Sequence, residues 1–503
     1  MNKINKKAFT LIELLVVIVV IGILTTLAVA SLQNVRKSAR DAKRIADIKQ
    51  IQTALELYIH DNGFYPPSIN FGESLSTGSV VYMEQIPQAP TPPDGDCDSL
   101  TNEYLYIPIG EDNYSYEISF CLGNQVGNLS SGEKCATPNG ILSGNCYNSS
   151  IPVGFTKLHE FDFFNNNGED PYGDLVAYNN VLYGMTCQGG TNYCGTIFKI
   201  NPDGSGFTKL HDFACGSGGS YTEGNLIEYN DVFYGMTESG GISDKGTIFK
   251  INPDGTNFTV IHNFNSTNGA WPYGDLIEYN NVLYGMASYG GTYSKGTIFK
   301  INPDGSGFTV LYNFDDTNGR YPDGSFILYN NFLYGMAGGG GVNDNGTIFK
   351  INPADDTFTK LYDFSSINGD GPAGSLIEYN DVFYGMTEYG GVNNYGTIFK
   401  INPDGSDFAK LHDFDNTNGS DVYGSLIEYN NTLYGMTYEG GTNNYGIIFK
   451  INPDGSGFTK LYDFDEANGY YPYGSLIEYS NVLYGMTYEG GAYYGGTIFS
   501  FKP

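Results

Sequence analysis

Apolar residues are distributed along this chain in three ways. From Phe9 to Ala30 they are continuous: FTLIELLVVIVVIGILTTLAVA holds twenty-two residues and a single charge, Glu13. A helix of about 20 apolar residues crosses the ~30 Å hydrocarbon core of a bilayer, so the stretch predicts a transmembrane span. From Leu32 to Tyr58 they recur every three or four places, through Val35, Ala39, Ala42, Ile45, Ile48, Ile51 and Leu55. That is the stripe of an amphipathic helix, with Arg36, Lys37, Arg40, Lys43 and Arg44 expected on its other faces. No Pro or Gly interrupts Ile23–Asp61. Residues 9–60 therefore read as one rod of roughly 80 Å, ended at Asn62-Gly63 by a helix C-cap. Beyond residue 150 the apolar residues fall in short runs that return with a fixed period.

That period is 50–52 residues, and seven copies begin at Phe155, Phe207, Phe258, Phe308, Phe358, Phe408 and Phe458. Each holds four extended segments, labelled here a (as in Asp275–Asn280), b (Val181–Thr186), c (Gly246–Asn252) and d (Phe207–Phe213). Four strands per copy at this period predict a propeller blade, and seven copies predict seven blades. The first copy opens with a lone d segment and the last ends after c, so Phe155–Phe161 is expected to complete the seventh blade beside Thr497–Phe501. Such a closure leaves no blade edge unpaired. Asn-Pro-Asp-Gly joins c to d, and Asn-Asn or Asn-Asp joins a to b, both with turn chemistry. Between rod and repeats, residues 62–150 read as a small β-rich head, with strands at Val80–Met83, Tyr104–Ile109 and Tyr114–Phe120.

Charge and cysteines place the chain. The net charge is −30. Residues 1–61 carry nine basic and five acidic side chains, so the acid excess belongs to the remainder. Phosphates would be repelled, which excludes nucleic acid as a partner. Lys3, Lys6 and Lys7 precede the apolar run, and basic flanks stay cytoplasmic; the bulk of the chain is thus expected outside the cytoplasm. There disulfides form. Cys97, Cys121, Cys135 and Cys146 allow three pairings, and Cys187 with Cys194 is expected to staple the first b–c loop. No CxxC pair or cofactor motif is present. Asp415–Gly419 has its Gly one place late for a calcium loop, so no metal is expected.

The string Lys6-Lys7-Ala8-Phe9-Thr10-Leu11-Ile12-Glu13-Leu14 resembles the N-terminus of type IV prepilins and of type II secretion pseudopilins. The resemblance implies a leader at 1–8, cleavage between Ala8 and Phe9 by a prepilin peptidase, and N-methylation of Phe9. It also implies that Glu13 pairs with the N-terminus of a neighbouring pilin-like subunit during assembly. Ala8 stands where the family usually has Gly. The copies, with cores such as LYGMTCQGGTNYCGTIFKI at 182–200, resemble the Gloeo/Verruco tandem repeat, a family expected to form propellers and without an activity to carry over. The implied layout is a leader, a stalk helix over 9–61, a pilin-like head over 62–150 and a seven-bladed propeller over 151–503.

A–b and c–d turns are nearly identical between copies, whereas d–a and b–c loops vary, as in NSTNGAWPY at 265–273 against DDTNGRYPD at 315–323. Varied loops on a rigid scaffold are where binding sits. Aromatics gather there: Tyr172, Tyr221, Trp271, Tyr273, Tyr289, Tyr321, Tyr389, Tyr423, Tyr438, Tyr471, Tyr473 and Tyr488. They are candidates for stacking on sugar rings, and a surface glycan or a protein is the expected ligand. Met185 and its six equivalents recur in every blade, and His159, His211, His262 and His412 alternate with Tyr at one position; both sets read as packing. A non-catalytic, minor pilin-like subunit displaying a propeller for attachment is the leading reading. A secretion pseudopilin contacting exported cargo and a membrane-anchored extracellular enzyme are the alternatives.

Overall fold

The computed structural model describes residues 11–66, most of 69–143, and 154–503, with side chains from Arg36 onward. The cleavage site Ala8–Phe9 lies outside the described residues, as do the side chains of the predicted span, Glu13 included. Among the described residues no helix is long and apolar enough to cross a membrane. The chain divides into two compact units, Met1–Val153 and Gly154–Pro503.

In the first unit, helix α1 runs Leu11–Asn62. It stops where Gly63 takes a left-handed φ of 80° and its N–H bonds the Ile59 carbonyl at 2.7 Å, a glycine cap. Ile48, Ile51, Leu55 and Tyr58, all on the predicted stripe, are buried against Tyr65, Tyr116, Ile118 and Phe120. Two sheets complete the unit: a hairpin of β1 (Leu75–Thr77) and β2 (Val80–Met83), and a four-stranded meander of β3 (Leu105–Ile109), β4 (Ser115–Leu122), β5 (Gly132–Thr137) and β6 (Gly140–Ser143). One polar position departs from expectation. Arg44 is fully buried, paired with Asp41 at 2.6 Å. Asp41 also accepts from the Gly123 and Asn124 N–H groups at 2.9 and 3.0 Å. Cys97 bonds to Cys121.

The second unit is a seven-bladed propeller. Each blade is a four-stranded antiparallel sheet in the order a-b-c-d. Strands b and c are the buried pair; in Val232–Thr237 every residue after the first is buried. Their side chains fill the space between neighbouring sheets, so Tyr384, Met386, Ile398 and Phe414 of one blade pack on Leu426, Leu433 and Phe449 of the next. The Gly in the middle of each b strand makes room for a strand c phenylalanine: a Cβ on Gly285 would stand 2.6 Å from the Phe299 ring. The a–b turns hold two residues at positive φ, as at Asn280 (53°) and Asn281 (63°), the type I′ geometry that hairpins favour.

The ring closes as expected from the phase of the repeat. Strand d of the last blade is Gly154–Glu160, and it pairs with Thr497–Lys502 in a register that sets Phe155 opposite Phe501 and His159 opposite Ile498. A second seam runs around the whole ring. At the His/Tyr position of every d strand the aromatic ring stacks on the phenylalanine that opens the next copy, His159 on Phe207 through to Tyr462 on Phe155, with centroids 3.7–4.3 Å apart. The four histidines of this seam are packing residues. Burial pushes His159 and His262 down to about 4 and lowers His211 and His412.

Candidate functional site

Each blade contributes a glycine and a small polar residue to the propeller axis just before strand a. They are Gly173-Asp174, Gly224-Asn225, Gly274-Asp275, and Gly-Ser at 324–325, 374–375, 424–425 and 474–475. The polar residue's backbone N–H donates to the side chain of its counterpart in the following blade. The bonds run Asp174 to Asn225, Asn225 to Asp275, Asp275 to Ser325, and on through Ser375, Ser425 and Ser475 back to Asp174. The four that end on a serine measure 2.7–2.9 Å. The glycines are forced by proximity: a Cβ on Gly474 would meet the Gly173 carbonyl oxygen at 2.6 Å. This closed ring is the floor of the site.

Above the floor lies a cavity of about 470 Å³, within the size range of small-molecule sites. Its walls come from the residue before each axial glycine, namely Tyr172, Glu223, Tyr273, Asp323, Ala373, Tyr423 and Tyr473, with Tyr321 and Glu388 beside them. The lining thus holds five carboxylates, those of Asp174, Glu223, Asp275, Asp323 and Glu388, and no Lys, Arg or His. Burial, then repulsion from Glu238 and Asp323, pushes Glu223 up to about 8. Burial pushes Asp323 and Asp275 up to about 6. Glu388 is held by hydrogen bonds from Tyr423 at 2.7 Å and from Tyr389.

The predicted aromatics divide into groups. Tyr172, Tyr473 and Tyr423 form a continuous arc on the cavity wall, with centroids 3.8 and 4.3 Å apart. Tyr488 packs edge-on against Tyr172, and Tyr438 against Tyr423, each at 5.2 Å. Tyr471 stacks on Tyr438 at 4.6 Å. Trp271, Tyr289 and Tyr321 make a second group, linked at 5.0 and 4.7 Å, with Lys245 4.3 Å above the indole. Tyr273 lines the cavity alone. Tyr221 and Tyr389 are exposed; Tyr389 reaches the arc through its hydrogen bond with Tyr423.

One backbone position explains how the rim aromatics are held. Two residues before each wall residue stand Asp170, Tyr221, Trp271, Tyr321, Gly371, Asp421 and Tyr471, all with φ between 51° and 62°. This left-handed region favours Gly, Asn and Asp, yet four blades place a large aromatic there.

The cysteine expectation is corrected. Cys194 bonds to Cys215, their Cα atoms 5.5 Å apart, and Cys187 is free and buried. Cys187 directly follows strand b, whereas Cys194 closes the b–c loop just before strand c and meets Cys215 of the d–a loop. At Asp415 the carboxylate accepts from the Thr417 and Asn418 N–H groups at 3.0 Å, a turn already satisfied. Among the described residues no cluster of His, Cys, Asp or Glu could hold a metal.

Reading aromatics alone overlooked Glu223, Asp323 and Glu388. The signal was present: Glu223 and Asp323 are acids at a wall position that four other blades fill with Tyr.

Comparison with known proteins bears on both ends of the chain. Residues 136–338 and 321–499 match the model of the Gloeobacter/Verrucomicrobia repeat, and residues 3–29 match the prokaryotic N-terminal methylation motif. The type II secretion system core protein G of Escherichia coli (strain K12) is 36% identical over 118 residues, which span 21% of this chain and 75% of that protein. The core protein G of Aeromonas hydrophila is 41% identical over 101 residues, 18% of this chain and 71% of that one. A solved oligogalacturonate lyase from Vibrio parahaemolyticus overlaps 70% of this chain and 94% of its own at 11% identity, with a TM-score of 0.45, too slight a likeness to carry an argument.

Proposed function

We propose, because this chain belongs to the Gloeobacter/Verrucomicrobia repeat family through its propeller and to the type II secretion core protein G family through its N-terminal fifth, that it is a non-catalytic, minor pilin-like subunit. Its α1 enters a filament or the cytoplasmic membrane, and its propeller is displayed outside to capture a ligand. The N-terminal methylation motif supports the assembly half of this reading. The observation that carries the display half is the row of aromatics held in left-handed backbone at the rim, Tyr221, Trp271, Tyr321 and Tyr471. Strained conformations persist where function requires them, and Tyr and Trp supply large, rigid contact area at low entropic cost.

The names of the core protein G relatives favour a second reading, a secretion pseudopilin whose propeller contacts exported cargo. Mass spectrometry of the N-terminus in sheared surface filaments and in membranes separates the two. A chain beginning at N-methylated Phe9 in filaments supports the minor pilin. The same processed chain confined to membranes supports the pseudopilin. An uncleaved Met1 terminus would refute both and leave a plain anchor. Replacing Tyr221, Trp271 and Tyr471, rim aromatics outside the axial cavity, by Ala is expected to abolish attachment and leave assembly intact; unchanged attachment would remove the loop face from the function.

A further inference from the structure

The axial cavity is electrostatically unfinished. Glu223 and Asp323 stand two blades apart on its wall, and Glu388 adds a third carboxylate beside Asp323. Glu223 is pressed from every side by acids or phenols: it shares a hydrogen bond with Glu238, faces Asp323, and acts on the nearby Tyr172, Tyr273 and Tyr473. No basic residue lines the space. Enclosed carboxylates without a counter-ion are costly and attract cations from solution. A bare metal ion does not suit them, because among the described residues no three acidic, His or Cys groups converge. The rest of the wall is the arc of Tyr172, Tyr473 and Tyr423, packed ring against ring, with the Tyr423 hydroxyl bonded to Glu388 at 2.7 Å. A cavity of about 470 Å³ that mixes enclosed carboxylates with tyrosine rings matches an organic cation, whose charge the carboxylates attract and whose carbon skeleton the rings enclose.

We propose that the axial cavity binds an organic ammonium group, primary or quaternary, carried on a small molecule or on an amino sugar. The inference rests on the reading of the propeller as a ligand-capturing display and names the chemistry of its occupant. The cation sits between the tyrosine arc and the carboxylates, and restores ionisation to Glu223. Binding near neutral pH therefore releases a proton, since Glu223 is pushed up to about 8 in the empty site.

The test is calorimetry on the full chain in a detergent without an ammonium headgroup. The probes are choline and its neutral carbon isostere 3,3-dimethylbutan-1-ol, then glucosamine and N-acetylglucosamine. At least tenfold tighter binding of a charged probe than of its neutral partner is expected. The heat at pH 7 should change between phosphate and MOPS, whose ammonium is balanced by its own sulfonate, as a released proton is taken up by the buffer. Preference for glucosamine assigns a glycan-borne amine, and preference for choline alone a small free one. The near-isosteric E223Q/D323N variant should lose at least tenfold in affinity for the charged probe and lose the buffer dependence. Neutral partners binding as tightly, no binding of either charged probe to the unaltered chain, or full binding by a folded E223Q/D323N protein would each overturn the proposal. The display reading stands or falls separately, on attachment by the alanine variant of the aromatic set.

Discussion

A left-handed backbone imposes a cost on any residue with a Cβ, of order 1–2 kcal/mol. At the rim position the chain itself offers the remedy, since Asp170, Gly371 and Asp421 occupy it in three blades. Tyr221 is the cleanest place to measure the cost, because it is 38% exposed and belongs to neither aromatic group. Tyr221→Asn is expected to raise stability by about 0.5–1 kcal/mol, as Asn tolerates this region without adding backbone freedom to the unfolded chain. A shift of the denaturation midpoint to higher urea would register it; an unchanged or lowered midpoint would mean the tyrosine is held by packing instead. The position itself was visible in sequence only as variation among copies. Aromatics at variable loop sites were legible because ring residues are conspicuous in turns. The strain beneath them was not, because φ is a property of the loop's closure and not of any one residue type.

Among the elements, strand a shows where reading the chain succeeds and where it stops. The segment Asp275–Asn280 was expected to be extended, and only Ile277–Tyr279 pairs as strand. The missing residues are spent on the axis: Asp275 accepts from Asn225 and donates its N–H to Ser325 at 2.7 Å, so the backbone there serves the neighbouring blade. In the head, β5 (Gly132–Thr137) escaped notice because GEKCAT has few of the β-branched and aromatic residues that mark strands. Arg44 was assigned to a polar face by its charge, and only the loop donors that share Asp41 explain its burial. By contrast the closing strand was legible from order alone. Removing Thr497–Pro503 is expected to be severe. It strips Ile498, Phe499 and Phe501, each nearly or wholly buried, at about 2 kcal/mol or more apiece, and leaves Gly154–Glu160 without a partner. Limited proteolysis should then cut within residues 154–160 and spare them in the intact chain, where they are paired. Resistance in the truncated chain would show that the other six blades hold the ring closed.

For the molecule as a whole, pH and charge act together. Glu223, Asp170, Asp275, Asp323 and Asp421 are pushed up to between about 6 and about 8 by burial and by neighbouring carboxylates. In each, folding favours the neutral form, so its contribution is complete below the unfolded carboxylate pKa and is lost as pH rises through the folded value. The buried histidines act in the opposite sense: His159 and His262, pushed down to about 4, contribute fully above about 6.5 and lose that contribution as pH falls through 4. Above pH 6.5 only the carboxylates remain in play, and the thermal midpoint is expected to fall between pH 6.5 and 8. E223Q should flatten that decline, whereas a midpoint that rises with pH would place the acids in a better-solvated setting than their surroundings indicate. The closing blade carries one last consequence, a mechanical one. Strand d of that blade is both the first strand of the ring and the point where the chain arrives from the N-terminal unit. A pull on the chain where it enters the ring at Gly154 therefore loads the hydrogen bonds between Gly154–Glu160 and Thr497–Lys502 first. The bonds that complete the ring are thus also the ones nearest the point of load, placed like a latch at the entrance.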